Sequence, residues 1–464
     1  MGDDSWTWQN VFPFYQRSAH LSPPNAAVRF ENSSVEYDHE AFNNSLGYHQ
    51  PLQVGWQNWA TPLASWVQKA FTALGIVTDP AGFNSGTLNG ASWCPSTIDP
   101  AQRRSSSQTS FLDYALGTTS LKVYTNAMAK QILMSDNNTA RGVLVNSGNY
   151  NFTLSTKKEV IVSAGAFQSP QLLMVSGIGA RDTLQQYGIP VRKHLPGVGQ
   201  NLWDQPFFGI SYRVNVETGS RLANDPIYAA KAAEQFKNNA TGPLTGPPSL
   251  LAFERISRSS PALLPNRTIS ALREGFPEDW PEAEYLVING YVGYNRNYRT
   301  HDPNDGYNYA GLASALVSPF SKGNISISSA DASVPPVVNP NWLTTPEDQD
   351  IAVASFKRLR QIAAHMKDVI IGEEYLPGPN VTTDEQILGF ISESMIQIYH
   401  AAATCKMGSS NDSMAVIDPK ARVYGVSGLR VVDAASFPFL PPGHPQSVVY
   451  MLAEKIADDI INSQ

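Results

Sequence analysis

The sequence predicts an α/β protein in which one sheet domain is built from two distant segments, with a second domain inserted between them. Three observations lead to this fold class. The chain has 464 residues, which is long for one compact core. Short β-branched segments bounded by turn residues occur within 119–205 and again in 393–464. Between them, in 206–392, strand-like segments alternate with polar loops.

Each part of the chain has its own pattern. Residues 1–118 scatter Trp and Tyr among Pro, Gly and Asn, so we expect irregular structure with short helices such as WATPLASWVQKAFTALG. In 119–205 we expect three strands, the last ending at Gly165, followed by a short helix. Their segments are LKVYTNAMAKQIL, ARGVLV, NFTLSTKKEVIVSAG and, for the helix, SPQLLMVSGIG.

The central region is predicted to end on the helix PEDQDIAVASFKRLRQIAAHM, where apolar residues recur near helical spacing. Its strands are expected at EAEYLVINGYVGY, ASALVSPF and NISISSA. After residue 393 we expect short apolar strands and a final helix following Pro445.

Composition excludes several classes of protein. Hydrophobic residues make up 42% of the chain and charged residues 16%, which is typical of a globular protein. The formal net charge is −7 and no basic run offsets it, which argues against a nucleic-acid partner. No apolar run approaches the roughly 18 residues that a membrane span needs. No metal site is predicted.

The compartment depends on how the N-x-S/T sequons are interpreted. They are more numerous than chance predicts, which favours the secretory pathway, whereas an Asn- and Ser-rich surface would make them incidental and the protein cytoplasmic. Two cysteines, Cys94 and Cys405, allow one disulfide or two free thiols, and both alternatives stay open. The sequons lie at Asn32, Asn43, Asn137, Asn151, Asn239, Asn266, Asn324, Asn380 and Asn411.

A histidine precedes the last predicted helix. In LRVVDAASFPFLPPGHPQSVVYMLAEKIAD (429–458), an apolar run stops at Asp433, and His444-Pro445 then opens an amphipathic segment. Proline suits the first helical position, which places His444 at or beside the N-cap. A histidine and a helix N-terminus together suit a group that becomes negative during a reaction. The alternative is a capping histidine in a Pro-rich turn.

A second histidine, His400, lies in IQIYHAAATCKMG. A lone histidine in apolar company is more often a satisfied core residue. Two such histidines flanking a strand and turn are expected to face each other across a pocket, and a neutral imidazole is the most usual general base near neutral pH.

Several segments resemble the glucose–methanol–choline (GMC) family of flavin oxidoreductases. GAFQSPQLLMVSGIG (165–179) matches the family's second signature residue for residue, and PGVGQNLWDQP resembles its GVGENLQDH loop, with Gln205 in place of the usual histidine. The remaining resemblance covers nearly the whole chain and is greatest to the fungal secondary-metabolite branch. Its segments are SPFSKGNISI, YHAAATCKMG, VYGVSGLRVVDAASFP and PPGHPQSVVYMLAEKIADDI.

The resemblance implies the GMC oxidoreductase fold, α/β with an α+β substrate domain. Residues 119–205 and 393–464 would form a Rossmann-like FAD-binding domain, 206–392 an antiparallel-sheet substrate domain, and 1–118 a bridge between them. The family's strand, G-x-G-x-x-G turn, helix and acidic residue have no counterpart in this sequence. We therefore expect an FAD-binding domain that is incomplete at its N-terminus, a signal peptide lost with the missing segment, and weak retention of FAD.

The resemblance also assigns roles to residues. His400 matches the family's principal base, and His444 matches its second active-site residue. The residues matched to FAD are Ala129, Asp433, Ala434, Pro445 and Gln446. Asp433 and Ala434 match positions that touch the ribityl and phosphate portion, and Ala129 matches a position whose backbone meets adenine. The helix start would stabilise negative charge on the reduced flavin.

The implied function is FAD-dependent oxidation of a CH–OH group. The expected substrate is a small aromatic or heterocyclic alcohol of fungal secondary metabolism, with an aldehyde, ketone or lactone as product. Two alternatives stay open. One is a redox-neutral cyclase or lyase that uses the same histidines, and the other is a non-catalytic truncated homologue that only binds ligands or partners.

Overall fold

The computed structural model describes residues 2–29, 33–40, 51–148, 150–246, 250–294 and 303–462. The helices in these residues are α1 (Trp8–Ser18), α2 (Pro62–Ala73), α3 (Asp113–Thr118), α4 (Gly165–Val175), α5 (Arg181–Gln186), α6 (Ser220–Asn224), α7 (Pro226–Asn239), α8 (Ile256–Ser259), α9 (Asn266–Gly275), α10 (Pro346–Ala364), α11 (Asp384–Ser394) and α12 (Gln446–Asn462). None of them is both long and apolar enough to cross a membrane.

The strands in the same residues are mostly short. They are β1 (Ala19–Leu21), β2 (Leu52–Val54), β3 (Gly90–Trp93), β4 (Met128–Met134), β5 (Ala140–Ser147), β6 (Tyr150–Ser155), β7 (Val160–Val162), β8 (Ile178–Gly179), β9 (Lys193–His194), β10 (Pro206–Val214), β11 (Leu250–Glu254), β12 (Ala283–Ile288), β13 (Asn308–Leu316), β14 (Asn324–Ser326), β15 (Val337–Asn339), β16 (Ile370–Leu376), β17 (Ile396–Gln397) and β18 (Leu429–Val431).

One antiparallel sheet dominates the central region. Its order is β16-β10-β13-β12-β11-β3, and β17 pairs with β10 beside β16. Helix α10 packs against β10, β12 and β13. It begins at Pro346, and the hydroxyl of its N-cap residue Thr345 accepts a hydrogen bond from the Asp348 amide, which satisfies one of the free donors of the first turn. This sheet carries Glu284 on β12, a strand largely buried from solvent.

The second unit contains a short parallel pair, β7 with β18, in which Val160 pairs with Leu429 and Val162 with Val431. Parallel strands place their carboxyl ends at one edge. Helix α4 begins directly after β7, and Asp433 follows β18 at the same edge. The Asp433 carboxylate accepts hydrogen bonds from the Gly165 amide at 2.9 Å and the Ser169 hydroxyl at 2.5 Å, so it joins the two segments.

Two large hydrophobic cores accompany these sheets in the described residues. The first combines the central sheet and α10 with residues from the N-terminal part of the chain, including Trp56 and Phe71. The second is formed mainly by residues within 132–203 and 402–456, with Ile325 and Ile327 added from the region between. Helix α1 lies against α12, where Arg17 pairs with Glu454 at 3.4 Å.

The predicted helices at 59–75, in the central region and after Pro445 are present as α2, α10 and α12. Several boundaries were wrong. The segment NFTLSTKKEVIVSAG is two strands in different sheets, because a polar turn separates β6 from β7. The segment LKVYTNAMAKQIL is extended sheet only from Met128, and α4 begins at Gly165 instead of Ser169. The final helix begins at Gln446, so Pro445 precedes its first residue.

Candidate active site

The position of His444 is set by the turn before it, which requires a backbone conformation that glycine adopts without strain. Gly443 has φ of +86°, in the left-handed region that strains residues with a Cβ. His444 follows, and the carbonyl of Pro445 accepts the first helical bond of α12 from the Val449 amide at 3.1 Å. The imidazole therefore stands immediately before the helix, with the first free amides of α12 beside it.

His400 is held in a strained loop between β17 and the second core. Tyr399 and Ala403, on either side of it, have φ of +65° and +67°, which are uncommon for residues other than glycine. The neighbouring backbone is fixed by two hydrogen bonds between Trp203 and Ala402, at 3.1 and 2.9 Å. His400 itself is only 8% exposed.

The structure brings the two histidines together. Their ring centroids are 5.0 Å apart and the planes are inclined by 64°. Nδ1 of His400 lies 2.7 Å from Oε1 of Gln205, and Nε2 of His444 lies 2.7 Å from Oε1 of Glu284. Two residues 44 positions apart in the sequence thus face each other, each supported by a different polar side chain.

The environments of the two rings move their pKa values in opposite directions. Burial, and then the proximity of His444, lower the pKa of His400 to about 3. The carboxylate of Glu284 raises the pKa of His444, and this attraction outweighs the opposing effect of burial. His400 is therefore a neutral imidazole at neutral pH, whereas the raised pKa of His444 favours the protonated form of that ring.

Glu284 and Asp204 bring buried carboxyl groups to the site. Glu284 has no exposed side-chain surface, and its second oxygen, Oε2, has no hydrogen-bond partner among the described residues. Asp204 accepts a hydrogen bond from the Gln205 amide at 3.0 Å and another from the backbone of His400. Burial raises the pKa of Asp204 to about 6. Glu284 balances a positive charge on His444, and Asp204 holds the loop of His400.

A cavity of about 420 Å³ opens beside His444, within the usual size range of ligand pockets. Aromatic and aliphatic side chains form most of its wall, and 43% of the His444 side chain is accessible. Among the described residues that line it, none is Lys, Arg, Asp or Glu. The principal lining residues are Trp8, Phe12, Tyr15, Phe83, Leu88, Cys94, Leu251, Phe253, His444, Gln446 and Ser447.

Neither cysteine is a reactive thiol. Both are free, which settles the alternative left open above in favour of unbonded thiols. Burial raises the pKa of Cys94, which lines the cavity, to about 12 and raises that of Cys405 well above its usual value. Both groups are therefore neutral and poor nucleophiles at neutral pH.

The residues predicted to contact FAD are spread over a wider area. Gln446 lines the cavity at the start of α12, directly after Pro445. Asp433 is buried, its carboxylate accepts hydrogen bonds from Gly165, Ser169 and Ala435, and burial raises its pKa. Ala434 begins the short turn after it. Ala129 is exposed on β4, in the separate three-stranded sheet β4-β5-β6.

Sequence reasoning did not assign roles to Gln205, Glu284 or Asp204. Gln205 had a signal in the sequence, because it replaces the histidine usual in the GVGENLQDH loop that this segment resembles. Glu284 had a weaker signal, an acidic residue inside the apolar run AEYLVI. An acid on a strand that is buried from solvent must have a partner, and that partner lies 160 residues away.

Comparison with known proteins agrees with this geometry. Two models of the GMC oxidoreductase family match the chain, over residues 1–207 and 319–453. The chain is 49% identical to a dehydrogenase of Emericella nidulans, over 98% of this chain and 74% of that protein. The chain belongs to the GMC oxidoreductase family. FAD is its cofactor, and oxidation–reduction is its class of reaction.

Other relatives of this GMC oxidoreductase include patulin synthase of Aspergillus clavatus, 48% identical over 99% of this chain and 73% of that protein. Versicolorin B synthase of Aspergillus parasiticus is 40% identical over 100% and 71%. Among solved structures, an FAD-dependent oxidoreductase from Chaetomium thermophilum is similar in fold, with a TM-score of 0.88 at 24% identity, covering 100% of this chain and 81% of that one.

The described residues fit the flavin end of FAD. The start of α12, with its free amides, lies at a largely apolar cavity lined by His444, which suits the polar edge of a flavin ring. Among the described residues there is no glycine-rich strand–turn–helix of the type that holds a pyrophosphate.

Proposed function

We propose that this GMC oxidoreductase oxidises the CH–OH group of a small, uncharged alcohol, with His400 as the general base and His444 as a hydrogen-bond donor to the same oxygen. The observation that carries the proposal is the pair of imidazoles 5.0 Å apart whose pKa values move in opposite directions. Neighbouring titratable groups whose environments separate their pKa values typically divide the acid and base roles between them.

His400 is suited to accept a proton because it is neutral at physiological pH. Its Nδ1 is bonded to Gln205, and no hydrogen bond from the described residues reaches its Nε2. In the proposed step, the hydroxyl proton moves to Nε2 and the electron pair of the O–H bond remains on the substrate oxygen. The weak basicity of the buried ring means that this transfer is coupled to loss of hydride from the same carbinol.

His444 is suited to stabilise the oxygen that loses the proton. Nε2–H donates to Glu284, whose charge favours the protonated ring. A protonated ring keeps a second donor at Nδ1, and we assign that donor to the substrate oxygen. His444 thus holds the developing negative charge without taking the proton itself.

FAD, when bound, supplies the acceptor for the hydride of the carbinol carbon. The residues of this chain orient the reacting groups and stabilise the negative charge that develops. Helix α12 begins at Gln446, directly after Pro445, and its positive N-terminal end at the cavity favours negative charge there. Asp433 caps the short turn that begins at Ala434. We propose that these two residues would contact the ribityl and phosphate portion of FAD, and Ala129 its far end.

The cavity supports an aromatic or heterocyclic substrate. Its described wall is largely aromatic and aliphatic, carries no Lys, Arg, Asp or Glu, and includes His444, whose charge Glu284 balances. Transfer of a charged group into such a cavity costs several kcal/mol unless a partner is present, so an uncharged ring is favoured. The names of the fungal relatives support a place in fungal secondary metabolism.

A redox-neutral reaction is the second candidate. An acid and a base on one pair of histidines are sufficient for a cyclisation or an elimination, and two of the relatives named above are synthases by name. A non-catalytic role is disfavoured by the unpartnered Oε2 of Glu284 beside a histidine with an accessible ring, which indicates a site built for a ligand.

Anaerobic mixing of the FAD-loaded protein with an aromatic alcohol separates these candidates. Oxidation predicts loss of the flavin absorbance and a product two hydrogens lighter than the substrate. An isomeric product with unchanged flavin absorbance would favour the redox-neutral reaction. Neither product nor absorbance change with a panel of aromatic alcohols would contradict both.

The remaining proposals concern organisation and location. We propose that residues 119–205 and 393–464 form the FAD-binding domain, that 206–392 binds substrate, and that 1–118 bridges the two. The pairing of β7 with β18 and the two cores support this division. We also propose passage through the secretory pathway with N-glycosylation. Six of the seven sequons in the described residues are exposed and only Asn324 is half-buried, whereas Asn32 and Asn43 lie outside those residues.

A further inference from the structure

Gln205 is buried completely, and its two polar atoms have different partners. Nε2 donates to the carbonyl oxygen of Val317 at 3.4 Å, and Oε1 lies 2.7 Å from Nδ1 of His400. A reversed amide would bring two acceptor oxygens together at Val317 and leave the amide donors facing His400. The backbone carbonyl therefore fixes the orientation of the Gln205 side chain.

That orientation determines where His400 carries its proton. An amide oxygen only accepts, so the 2.7 Å contact requires an N–H group at Nδ1. A neutral imidazole has one such group, and the lone pair is then at Nε2. The histidine usual at this position in the resembling loop either donates or accepts, so it would not select one tautomer. A glutamine held by Val317 does.

The surrounding backbone keeps the two side chains in register. The backbone N–H of His400 bonds to the carboxyl of Asp204, the residue just before Gln205. Trp203 and Ala402 are joined by two backbone hydrogen bonds. The partner segments are therefore held at three successive points, and the bond from Gln205 to His400 cannot easily be replaced by a shift of either chain.

We propose that Gln205 is a positioning residue that fixes the Nδ1–H tautomer of His400 and so presents Nε2 to the substrate hydroxyl. When Nε2 takes that proton, Oε1 of Gln205 continues to accept from Nδ1–H and stabilises the imidazolium that forms. The tautomer follows from the hydrogen bonds alone. Its use in catalysis rests on the proposed role of His400 as the base.

The test is NMR of ¹⁵N-histidine-labelled protein, which distinguishes a protonated from an unprotonated ring nitrogen. The chain has eight histidines, and the signals lost in His400→Gln identify those of His400. At pH 7 the wild type should show a protonated Nδ1 and an unprotonated Nε2. In Gln205→Leu, which removes the acceptor, His400 should shift toward the Nε2–H tautomer or a mixture of the two.

Two further variants complete the design. Gln205→Glu keeps an acceptor, so His400 should retain the Nδ1–H tautomer. The added negative charge should raise the pKa of His400. His444 is the other titratable ring that faces His400. Gln171→Leu is the matched control, because Gln171 is 4% exposed and its amide donates to the Val334 carbonyl at 2.6 Å, far from His400 in the sequence. It should leave the His400 signals unchanged.

Flavin reduction by an alcohol links the tautomer to the reaction. Gln205→Leu should lower the reduction rate about 10–100-fold with little change in KM, and Gln205→Glu should restore part of it. An Nε2–H tautomer in the wild type, or an unchanged tautomer in Gln205→Leu, would overturn the proposal. A shifted tautomer with an unchanged rate would uphold the positioning and contradict His400 as the base. Should Gln205→Leu fail to fold, the wild-type tautomer and Gln205→Glu still decide it.

Discussion

The Nε2–H of His444 donates to the carboxylate of Glu284 across 2.7 Å, joining the last loop before α12 to the middle of the central sheet. His444 is partly accessible from the cavity, whereas Glu284 has no exposed side-chain surface. The pair therefore places a positive charge at the cavity wall and its counter-charge behind it. Burial, and then the His444 ring 5.0 Å away, lower the pKa of His400, so His400 stays neutral.

Replacing Glu284 should change the protonation of His444. Glu284→Gln removes the carboxylate that raises the pKa of His444, so this pKa should fall below its wild-type value. An NMR titration of the histidine rings measures the change. Glu282→Gln is the matched control, since Glu282 is equally buried but bonds to Ser257. An unchanged pKa of His444 in Glu284→Gln would contradict the pairing.

The same pair predicts a pH dependence of stability. The pKa of His444 is higher in the folded protein than its unfolded value of 6.5. Its pairing with Glu284 therefore adds to the free energy of unfolding in full below pH 6.5, and this contribution is lost as the pH rises through the folded pKa.

The burial of His400 predicts the opposite dependence of stability on pH in the acid range. Its folded pKa is about 3 and its unfolded value 6.5, so between these limits the unfolded chain binds a proton that the folded chain does not. The free energy of unfolding should therefore fall as pH is lowered from 6.5. In His400→Gln the loss between pH 7 and 4.5 should be smaller by about 2–3 kcal/mol.

Urea unfolding at the two pH values measures this difference. His365→Gln, at an exposed position at the end of α10, is the control and should keep the wild-type pH dependence. Equal losses in wild type and His400→Gln would mean that His400 is not buried as a neutral ring.

The largely apolar cavity predicts selection between substrates of similar shape. Benzyl alcohol should have a kcat/KM at least about 100-fold higher than 4-carboxybenzyl alcohol, because Glu284 already balances the charge on His444 and an unpaired buried charge costs several kcal/mol. Gln16→Arg places a cation in the cavity wall and should narrow this ratio. Steady-state kinetics with both alcohols check the expectation. A ratio near one in the wild type would show that the substrate does not enter this cavity.

Exposure predicts which sequons carry glycans. When the protein is expressed with a secretion signal in a fungal host, glycan should be found at the exposed sequons and not at Asn324, which is half-buried in β14. Peptide mapping before and after removal of N-glycans measures occupancy. An intact mass equal to that of the bare polypeptide would contradict the proposed N-glycosylation. The exposed sequons are Asn137, Asn151, Asn239, Asn266, Asn380 and Asn411.

Local rules explain what could be predicted from the sequence. Proline and glycine have strong backbone preferences, so the turn before α12 and the position of His444 were visible directly. Strands near 160 and 430 were predicted separately, but their pairing depends on packing between segments about 270 residues apart. Glu284 was missed for the same reason, because the role of an acid on a buried strand depends on the histidine that the fold places beside it.

If His400 accepts the proton of the substrate hydroxyl, its replacement must slow the reduction of the flavin. Rapid mixing of FAD-loaded His400→Gln with an alcohol under anaerobic conditions, followed by flavin absorbance, measures this rate. We expect the rate of flavin reduction to fall about 10²–10⁴-fold relative to wild type. A reduction rate equal to that of the wild type would contradict it.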